Sequence, residues 1–278
     1  MTRFARPAVM GVLNTTPDSF SDGGAFLAPD AALEHARSMA AEGADLIDVG
    51  GESTRPGAEP VSEAEELRRV MPVIEALGAD DGIPVSIDTS KAAVAQAALA
   101  AGATFVNDVT ALRGDARMAG LVAESDADVC LMHMLGEPRT MQDDPRYDDV
   151  VAEVAAFLEE RLAFAVREGV PEERIWLDPG IGFGKTLRHN LELLRRLDEI
   201  VAIGRPVVVG ASRKRFIGAL TGKAEQERGA GTVAANVIAY ERGAHMFRVH
   251  DVGPTRDALA VVGATVGESI SEAPDRLE

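Results

Sequence analysis

The chain of 278 residues has little of several residue types on which common functions depend. It contains one cysteine, Cys130, which excludes an intramolecular disulfide and any metal site built from several cysteines. Cys130 lies within the apolar run DVCLMHM, where we predict a buried, inert thiol. The sequence has no H-E-x-x-H motif and no serine or cysteine nucleophile with an adjacent histidine–acid pair. Covalent catalysis and a structural zinc site are therefore disfavoured.

Basic residues are also scarce. Lysine and arginine number 28 against 45 aspartates and glutamates, giving a net charge of −17. Sequence-independent binding of nucleic acid needs clustered cations, so we predict no nucleic-acid partner. A phosphate-bearing substrate would have to be bound by a few local cations or a metal. Only four of the 28 basic residues are lysines, which fits either a salt-adapted surface or GC-rich coding.

A long apolar run is absent too. The longest charge-free stretch, 92–107, has 16 residues and includes polar side chains, so it is too short and too polar to span a membrane. The start of the chain has two arginines before a short apolar run but no long apolar centre like that of a signal peptide. We predict a cytoplasmic protein without membrane association.

Eight short apolar runs of the buried-strand type do occur, and most are separated by segments of helical periodicity. The clearest helical segment is 148–168, which ends at Gly169 and Pro171. Buried strands alternating with amphipathic helices indicate a parallel sheet covered by helices. Eight such units favour a (β/α)8 TIM barrel over an open doubly wound sheet. We predict one domain over residues 1–278, with a core of about 8–265. The runs are 8–14, 46–51, 84–88, 105–109, 128–134, 175–180, 206–212 and 246–251.

Polar residues follow or end most of these runs. In a (β/α)8 barrel the active site lies at the C-terminal ends of the strands, so these side chains should converge on one mouth. Any one of them alone could be a helix cap or a turn residue. Asp48, in the middle of the second run, could support a loop, and the carboxylates of 62–69 predict a capped, solvated helix start. The converging residues are Asn14, Asp88, Asn107, Asp178, Ser212, Lys214, Arg248 and His250.

The stretch DPGIGFGKT (178–186) ends like a nucleotide-binding phosphate loop. The rule G-x-x-x-x-G-K-[ST] requires a glycine where this chain has Pro179, which lacks a backbone N–H donor. A nucleotidase is therefore the weakest functional alternative.

The converging residues fall into two chemical groups. Asp88, Asn107 and Asp178 suit a flat heterocycle with adjacent N–H donors, because a carboxylate can accept two parallel hydrogen bonds. Lys214, Arg248 and His250, with Arg55 on a loop, suit a phosphate or diphosphate. Asn14, with the nearby Asp18 and Asp22, could orient Mg²⁺ through oxygen ligands. A heterocycle carrying a diphosphate leaving group is the substrate that this combination predicts.

At this point the motifs resemble a known family. GVLNTTPDSFSDGG, DVGGESTRPGA, SIDT, NDV, LMHM, DPGIGFGKT, GASRKRFIG and RVHD are similar, in order and spacing, to the dihydropteroate synthases of folate biosynthesis, over roughly residues 8–260. The resemblance implies a (β/α)8 barrel that joins 6-hydroxymethyl-7,8-dihydropterin diphosphate to 4-aminobenzoate and releases diphosphate with Mg²⁺. It also implies a sulfonamide target and a homodimer.

The resemblance implies a role for each matching position. The pterin ring would be bound by Asp88, Asn107, Asp178 and Lys214, with Met132 and Phe183 packed beside it. Asn14 would hold Mg²⁺ and diphosphate, and Thr54, Arg248 and His250 would bind diphosphate oxygens. Phe20, Arg55, Pro56, Ser212 and Arg215 would form the 4-aminobenzoate site. Lys214, Arg248, His250 and Asp22 would be the catalytic residues. Lys185 and Thr186 would then begin the next helix.

Two positions depart from the family pattern. Thr15 stands where valine is usual, and Arg215 stands where many relatives have serine. Arg215 could contact the aminobenzoate carboxylate or point to solvent. Two functional rivals also remain: a pterin-binding methyltransferase, which would normally need a corrinoid partner, and a non-catalytic pterin-binding paralogue.

The mechanism follows from this inventory. An arylamine is already nucleophilic, so the chemical demand lies on the departing diphosphate, and we expect a dissociative substitution. The loops 15–24 and 52–60 are rich in glycine, serine and proline, and they supply part of the aminobenzoate site. We therefore expect 4-aminobenzoate to bind only after pterin, diphosphate and Mg²⁺.

Overall fold

The structure is a computed structural model that describes residue 4 and the ranges 7–15, 29–55, 57–79 and 82–265. Eight strands alternate with helices along these residues. The strands are β1 (Ala8–Asn14), β2 (Leu46–Gly50), β3 (Val85–Asp88), β4 (Phe105–Asp108), β5 (Asp128–Met132), β6 (Ile175–Asp178), β7 (Val208–Val209) and β8 (Met246–Val249). The helices are α1 (Pro29–Ala41), α2 (Glu63–Ala79), α3 (Ala92–Ala100), α4 (Met118–Glu124), α5 (Val150–Arg167), α6 (Leu187–Arg195), α7 (Leu197–Val201), α8 (Arg215–Thr221), α9 (Gly229–Glu241) and α10 (Val252–Thr265). Short 3-10 turns cover Glu172–Arg174 and Glu225–Glu227.

The strands form one parallel sheet in the order β6-β5-β4-β3-β2-β1-β8-β7. β1 pairs with both β2 and β8, so the first and last strands are neighbours. A parallel bridge between Leu177 and Val207 joins the two outer strands and closes the sheet into a barrel. The (β/α)8 fold predicted from the alternation is confirmed.

All eight strands lie within the apolar runs that predict them. The largest difference is at β7, where only Val208 and Val209 of the run 206–212 belong to a strand. Helix α5 matches the predicted segment 148–168, and its first turn is capped by Asp149, whose side chain accepts hydrogen bonds from the backbone N–H groups of Val151 and Ala152. Gly169, at φ 97°, follows the helix as expected of a C-terminal glycine.

The lower half of the barrel interior is apolar. Inward-facing side chains from seven strands pack together there, and Phe4 packs against Phe105 and Trp176 with ring centroids 6.4 and 6.1 Å apart. Cys130 is buried in this cluster, and burial raises the pKa of its thiol well above the ordinary value. The burial predicted for Cys130 is confirmed, and the raised pKa disfavours a reactive thiolate. The cluster consists of Phe4, Ala8, Met10, Leu46, Phe105, Cys130, Trp176, Val208 and Met246.

The upper half of the interior is polar, and the two-residue period of a strand explains why. Side chains two positions apart face the same side, so each apolar residue of the lower cluster is followed by an inward residue one layer higher. Leu46 is followed by Asp48, Phe105 by Asn107, Trp176 by Asp178 and Met246 by Arg248. The opposite face of the strands packs against the helices in a larger apolar core. None of the described helices is both long and apolar enough to cross a membrane.

One expectation about α2 is wrong in part. Ser62 caps the helix by accepting from the backbone N–H of Glu65 at 3.2 Å, as predicted. Glu66, however, is fully buried and pairs with Lys91, which also pairs with Glu52. Glu66 lies one helical turn before Val70, on the face that packs inward, and for that reason it is not solvated.

Candidate active site

The polar ends of the strands converge on one pocket at the C-terminal mouth of the barrel. We call it the mouth pocket. Its lining joins carboxylates, an amide, two cations and apolar side chains from strands that are far apart in sequence. The lining residues are Thr54, Asp88, Asn107, Val109, Met132, Asp178, Ile181, Phe183, Gly210, Lys214 and Arg248.

Asp48 is the centre of a hydrogen-bond network beneath this pocket. It is fully buried, and its Oδ2 accepts from Arg248 Nε at 2.6 Å and from Asn107 Nδ2 at 3.0 Å. Arg248 also donates through Nη2 to Asp88 Oδ2 at 2.7 Å. Asp48 therefore fixes two pocket residues at once, a role larger than the loop support considered from the sequence. Its second oxygen, Oδ1, is buried with no hydrogen-bond partner among the described residues.

The orientation of Asn107 follows from this network. A carboxylate can only accept, so the amide nitrogen of Asn107 must be the atom that faces Asp48. Its carbonyl oxygen and its second N–H remain for a ligand. Together with Asp88 and Asp178, Asn107 gives the pocket a row of acceptors suited to N–H groups.

Burial raises the pKa values of the two pocket aspartates. Burial is the main cause for Asp88, and the neighbouring Asp48 carboxylate adds to it against the lowering effect of Arg248, giving a pKa of about 7. The pKa of Asp178 is raised to about 6 by burial, against the N–H donor of Gly180 and the charge of Lys214. Shifted carboxylates of this kind mark functional sites more often than structural ones.

The loop after β6 turns tightly over the pocket. Asp178 Oδ1 accepts from the backbone N–H of Gly180 at 2.6 Å. Gly180, Gly182 and Gly184 have φ values of 65°, 87° and 63°, in the left-handed region where glycine is favoured. A Cβ at Gly180 would lie 1.9 Å from the carbonyl oxygen of His133, so no larger residue fits without moving the backbone.

Lys185 and Thr186 differ from the expectation that both begin a helix. Thr186 is the N-cap of α6, where its side chain accepts from the backbone N–H of His189 at 3.2 Å. Lys185 lies before the cap and its side chain is buried. A strand–loop–helix boundary can be predicted from sequence, but the direction of a long side chain within the loop cannot.

Lys214 and Phe183 form one wall of the pocket. The ammonium of Lys214 lies 4.0 Å from the ring centroid of Phe183, a cation–π contact. Burial and the charge of Arg248 lower the pKa of Lys214 to about 8. Phe183 and Met132, both predicted to flank the ring, belong to one apolar cluster that contains Val109, Met132, Met134, Met141 and Phe183.

His250 is a neutral residue held by Ser212. The backbone N–H of His250 donates to Ser212 Oγ at 3.2 Å, and the same Oγ lies 2.9 Å from Nδ1 of this histidine. In the tautomer with its proton on Nε2, the serine hydroxyl donates to Nδ1 and Nε2 is the donor available to a ligand. Burial and the charges of Arg248 and Arg213 lower the pKa of His250 to about 3. Sequence reasoning grouped His250 with the cations and Ser212 with the aminobenzoate site, whereas here the two act as a pair.

The loop residues predicted for the second substrate are only partly described. Phe20, Asp22 and Pro56, like Asp18, lie outside the described residues. Arg55 is exposed and pairs with Glu225 at 2.9 Å.

Both departures from the family pattern have a structural outcome. Arg215 is exposed in the first turn of α8. Thr15 donates through Oγ1 to the carbonyl of Gly50 at 3.0 Å, so its hydroxyl attaches the end of β1 to the end of β2.

The chemistry of the described donors suits Mg²⁺ near Asn14. Gly50 lies beside Asn14 in the β1–β2 register, and a Cβ at Gly50 would lie 3.8 Å from Asn14 Oδ1 and 3.5 Å from Asp88 Oδ2. Both oxygens therefore border the same space. Among the described residues no group of three histidine, cysteine or acidic side chains could hold a metal. Further oxygen ligands would have to come from a ligand or water, as is usual for Mg²⁺.

Sequence reasoning missed Val109, Ile181 and Gly210 in the pocket lining. Val109 and Ile181 are adjacent or close to predicted residues, but their apolar side chains carried no chemical signal. Gly210 could have been suspected from its place in the seventh run. A Cβ there would lie 3.9 Å from Asp178 Oδ2 and from the Cβ of Arg248, so a larger side chain would fill the pocket.

Comparison with known proteins gives consistent similarities. The family model described as "Pterin binding enzyme" matches residues 10–250. Dihydropteroate synthase of Escherichia coli K12 is 48% identical over 262 residues, covering 94% of this chain and 93% of that protein.

Solved structures agree. The Yersinia pestis dihydropteroate synthase with a sulfonamide drug has a TM-score of 0.91 and 46% identity, covering 96% of this chain and 99% of the other. The Xanthomonas albilineans dihydropteroate synthase in complex with 7,8-dihydropteroate has a TM-score of 0.86 and 48% identity, with 94% of each chain covered.

Proposed function

The chain belongs to the family of pterin-binding enzymes, and from this premise we propose that the mouth pocket binds the pterin diphosphate of dihydropteroate synthesis. The observation that carries the proposal is the convergence of Asp88, Asn107 and Asp178 with Lys214 and Arg248 on one pocket. Acceptors and cations side by side suit a ring with N–H donors that bears a charged leaving group.

The reaction is a transfer that forms a C–N bond. 6-Hydroxymethyl-7,8-dihydropterin diphosphate reacts with 4-aminobenzoate, giving 7,8-dihydropteroate and diphosphate. Relatives at 46–48% identity over nearly the whole chain carry this activity in their names, which decides against the methyltransferase alternative.

The ring is bound by acceptors from three strands, β3, β4 and β6, and by one lysine that precedes α8. Asp178 and Asp88 accept ring N–H groups in their ionised forms, and Asn107 adds its carbonyl oxygen. Lys214 donates to the carbonyl edge of the ring from its position over Phe183. Asn107 is already hydrogen-bonded to Asp48, and Asp178 to the backbone N–H of Gly180. These two acceptors are therefore oriented before the ligand arrives.

The diphosphate is bound on the Arg248 side of the pocket. Arg248 keeps its remaining N–H groups for diphosphate oxygens, and the Nε2 proton of His250 adds a neutral donor. Thr54 completes this side. These donors stabilise negative charge as the C–O bond breaks, while the electron-rich dihydropterin spreads the positive charge on its exocyclic methylene. The amine of 4-aminobenzoate then attacks that carbon.

Asn14 is the described residue that would hold Mg²⁺, beside the oxygens of the diphosphate and waters. When bound, Mg²⁺ neutralises charge on the leaving group. The aminobenzoate site is completed by Phe20, Arg55 and Pro56, and Asp22 belongs to the catalytic set. The Yersinia pestis relative is described in complex with a sulfonamide drug, and we expect sulfonamides to bind this protein as well.

Two variants separate the two halves of the site. Asp178→Ala should weaken binding of the pterin with and without its diphosphate, since it removes charge-assisted bonds worth about 1.5–3 kcal/mol each. His250→Ala should weaken only the diphosphorylated ligand, and His250→Asn, which keeps an acceptor for Ser212, serves as its control. Calorimetric titration of both ligands measures this. An equal loss for both ligands in His250→Ala, or unchanged affinity for both in Asp178→Ala, would contradict the assignment.

Turnover provides the direct test of the activity. Release of diphosphate from the pterin diphosphate should require Mg²⁺ and rise with 4-aminobenzoate. Aminobenzoate alone should not bind the ligand-free enzyme. Tight binding of aminobenzoate to the ligand-free protein would mean that its site is preformed.

We propose that the protein forms a homodimer through an apolar surface on α6, α8 and α9. These helices pack against one another, and they expose Leu187 and Leu191 on α6, Leu220 on α8 and Ile238 on α9. Exposed apolar side chains on neighbouring helices are typical of an interface. Leu191→Glu with Ile238→Glu should give a monomer in sedimentation velocity, and a variant that remains a dimer would place the interface elsewhere.

A cytoplasmic location is also proposed, supported by the absence of any cysteine pair that an oxidising compartment would use. Cell fractionation of the native protein tests it.

A further inference from the structure

Lys185 is a buried lysine that contacts no carboxylate among the residues that the structure describes. Its residue is 3% exposed, and its ammonium lies 2.9 Å from His133 Nδ1 and donates to the carbonyl of Phe183 at 3.0 Å. A buried ammonium held by two neutral groups is costly, because desolvation disfavours the charged form. An apolar residue of similar length would avoid that cost. Lys185 therefore needs an explanation other than core packing.

His133 is built to accept from this lysine. It follows β5, it is 5% exposed, and burial together with the charge of Lys185 lowers its pKa to about 3. The neutral ring presents Nδ1 as an acceptor and packs edge-on against Phe157 with ring centroids 4.8 Å apart. The position of Nδ1 is thus fixed by packing, and so is the position of the ammonium bonded to it.

The contact joins two walls of the mouth pocket. The backbone N–H of His133 donates to the carbonyl of Asp178 at 3.0 Å, while Lys185 holds the carbonyl of Phe183. The ring of Phe183 in turn lies 4.0 Å from the ammonium of Lys214. Removing Lys185 would leave the carbonyl of Phe183 without this donor, so the wall against which Lys214 rests would keep only its other ties, such as those of Gln142 to Gly182 and of Tyr147 to Gly184.

We propose that Lys185 is a positioning residue for the pterin pocket, where its ammonium ties the loop that carries Phe183 to His133 and holds the ring of Phe183 beneath Lys214. The inference rests on the proposed binding of the pterin in the mouth pocket. The lysine of GFGKT would then help to shape a pterin pocket, whereas the lysine of a phosphate loop contacts a phosphate.

The charge of Lys185 gives a second, separate readout. It is one of the cations that lower the pKa of Asp178 against burial. Loss of this charge should raise the pKa of Asp178 above its value of about 6. On acidification, pterin affinity should therefore begin to fall at a higher pH than in the unchanged protein. If Lys185 served only packing, the pH at which pterin affinity falls (the acid limb) would stay the same in its variants. The charged and titratable groups that face Asp178 or Lys185 from the surrounding elements are Cys130, His133, His189, Lys214 and Arg248.

The test is calorimetric titration of 6-hydroxymethyl-7,8-dihydropterin, which lacks diphosphate, into the full-length enzyme between pH 5.5 and 8.5. Burial lowers the pKa of Lys185 itself to about 7, so the variants are compared on the acid side of that value, where the lysine is charged. There Lys185→Met should weaken binding on the order of tenfold, as expected for a lost charged hydrogen bond, and should shift the acid limb of the affinity to higher pH. The KM for 4-aminobenzoate should change much less than the KM for the pterin diphosphate. Thr186→Ala, which removes only the helix cap, should lower the thermal midpoint without changing pterin affinity.

A pair of variants at the acceptor keeps the test decisive if Lys185→Met does not fold. His133→Asn retains an acceptor near the position of Nδ1 and should preserve pterin binding, whereas His133→Leu removes it and should reproduce the loss. Unchanged affinity and an unchanged acid limb in both Lys185→Met and His133→Leu would overturn the proposal. If Asp178→Ala and Lys214→Ala also left pterin affinity unchanged, the assignment of the pocket itself would be the part that fails.

Discussion

Asp48 connects groups that are 200 and 59 residues away along the chain, Arg248 and Asn107. Asp48→Leu should destabilise the protein by up to about 3–5 kcal/mol, because it leaves the Arg248 side chain, which is only 21% exposed, with one partner fewer. Asp48→Asn can keep both hydrogen bonds through its carbonyl oxygen, and its amide nitrogen would take the place of the unpartnered Oδ1. We expect this variant to fold and to bind pterin. Thermal unfolding and pterin titration of the two variants measure the difference, and equal stability would show that Asp48 supports neither partner.

The ionised carboxylate of Asp178 is expected to favour pterin binding and to lower the stability of the fold. Its pKa is raised by burial to about 6, above the ordinary value of 3.8, so the stability it contributes is fully present below pH 3.8 and is lost as the pH rises through 6. Asp178→Asn should therefore raise the thermal midpoint at pH 7.5 by about 2–4 °C for each kcal/mol recovered, with about half of that gain at pH 5 and little at the ordinary carboxyl pKa of 3.8. The same change should weaken pterin binding at pH 7.5. A midpoint that falls at pH 7.5 would mean that the ionised carboxylate stabilises the fold.

The three glycines of the loop after β6 determine the conformation of that whole loop. Gly180→Ala places a Cβ 1.9 Å from a carbonyl oxygen at a left-handed φ, so we expect little folded protein or a displaced loop without pterin binding. Gly204→Ala is the matched control, since Gly204 also has a positive φ of 89° but no atom within 4 Å of the added Cβ. The control should lose about 1–2 kcal/mol and keep its pterin affinity. Chemical denaturation with pterin titration compares them, and similar losses would show that backbone strain alone matters at Gly180.

Elements were the scale at which sequence reasoning succeeded best. Strands that are buried on both faces leave continuous apolar runs, and the period of two places the polar residue after each run at the mouth. What sequence could not give was the set of partners. Glu66 follows a solvated helical pattern yet pairs with Lys91, and His250 contacts a serine 38 residues away while burial and two arginines keep it neutral. Such contacts depend on tertiary proximity, which no local pattern encodes.

The charge of the whole molecule gives a prediction about salt. A net charge of −17 makes the compact state self-repelling, although many arginines already pair with carboxylates on the helices, as Arg196 does with Glu199 and Asp149. We expect the thermal midpoint to rise with NaCl up to about 0.1–0.2 M, where the screening length reaches about 8–10 Å, and then to level off. A midpoint that continues to rise into molar salt would instead identify a salt-adapted protein.

The pairing of β1 with β8 has a consequence for synthesis of the chain. Ala8 is bonded in register to Met246, so the first strand made on the ribosome must wait for nearly the last. At roughly 5–20 residues per second, that wait lasts about 12–48 s. During this interval one edge of β1 has no partner, and an unpaired apolar strand is a template for pairing with another chain. The nascent polypeptide is therefore most exposed to misassembly, and most in need of a chaperone, until its eighth strand emerges.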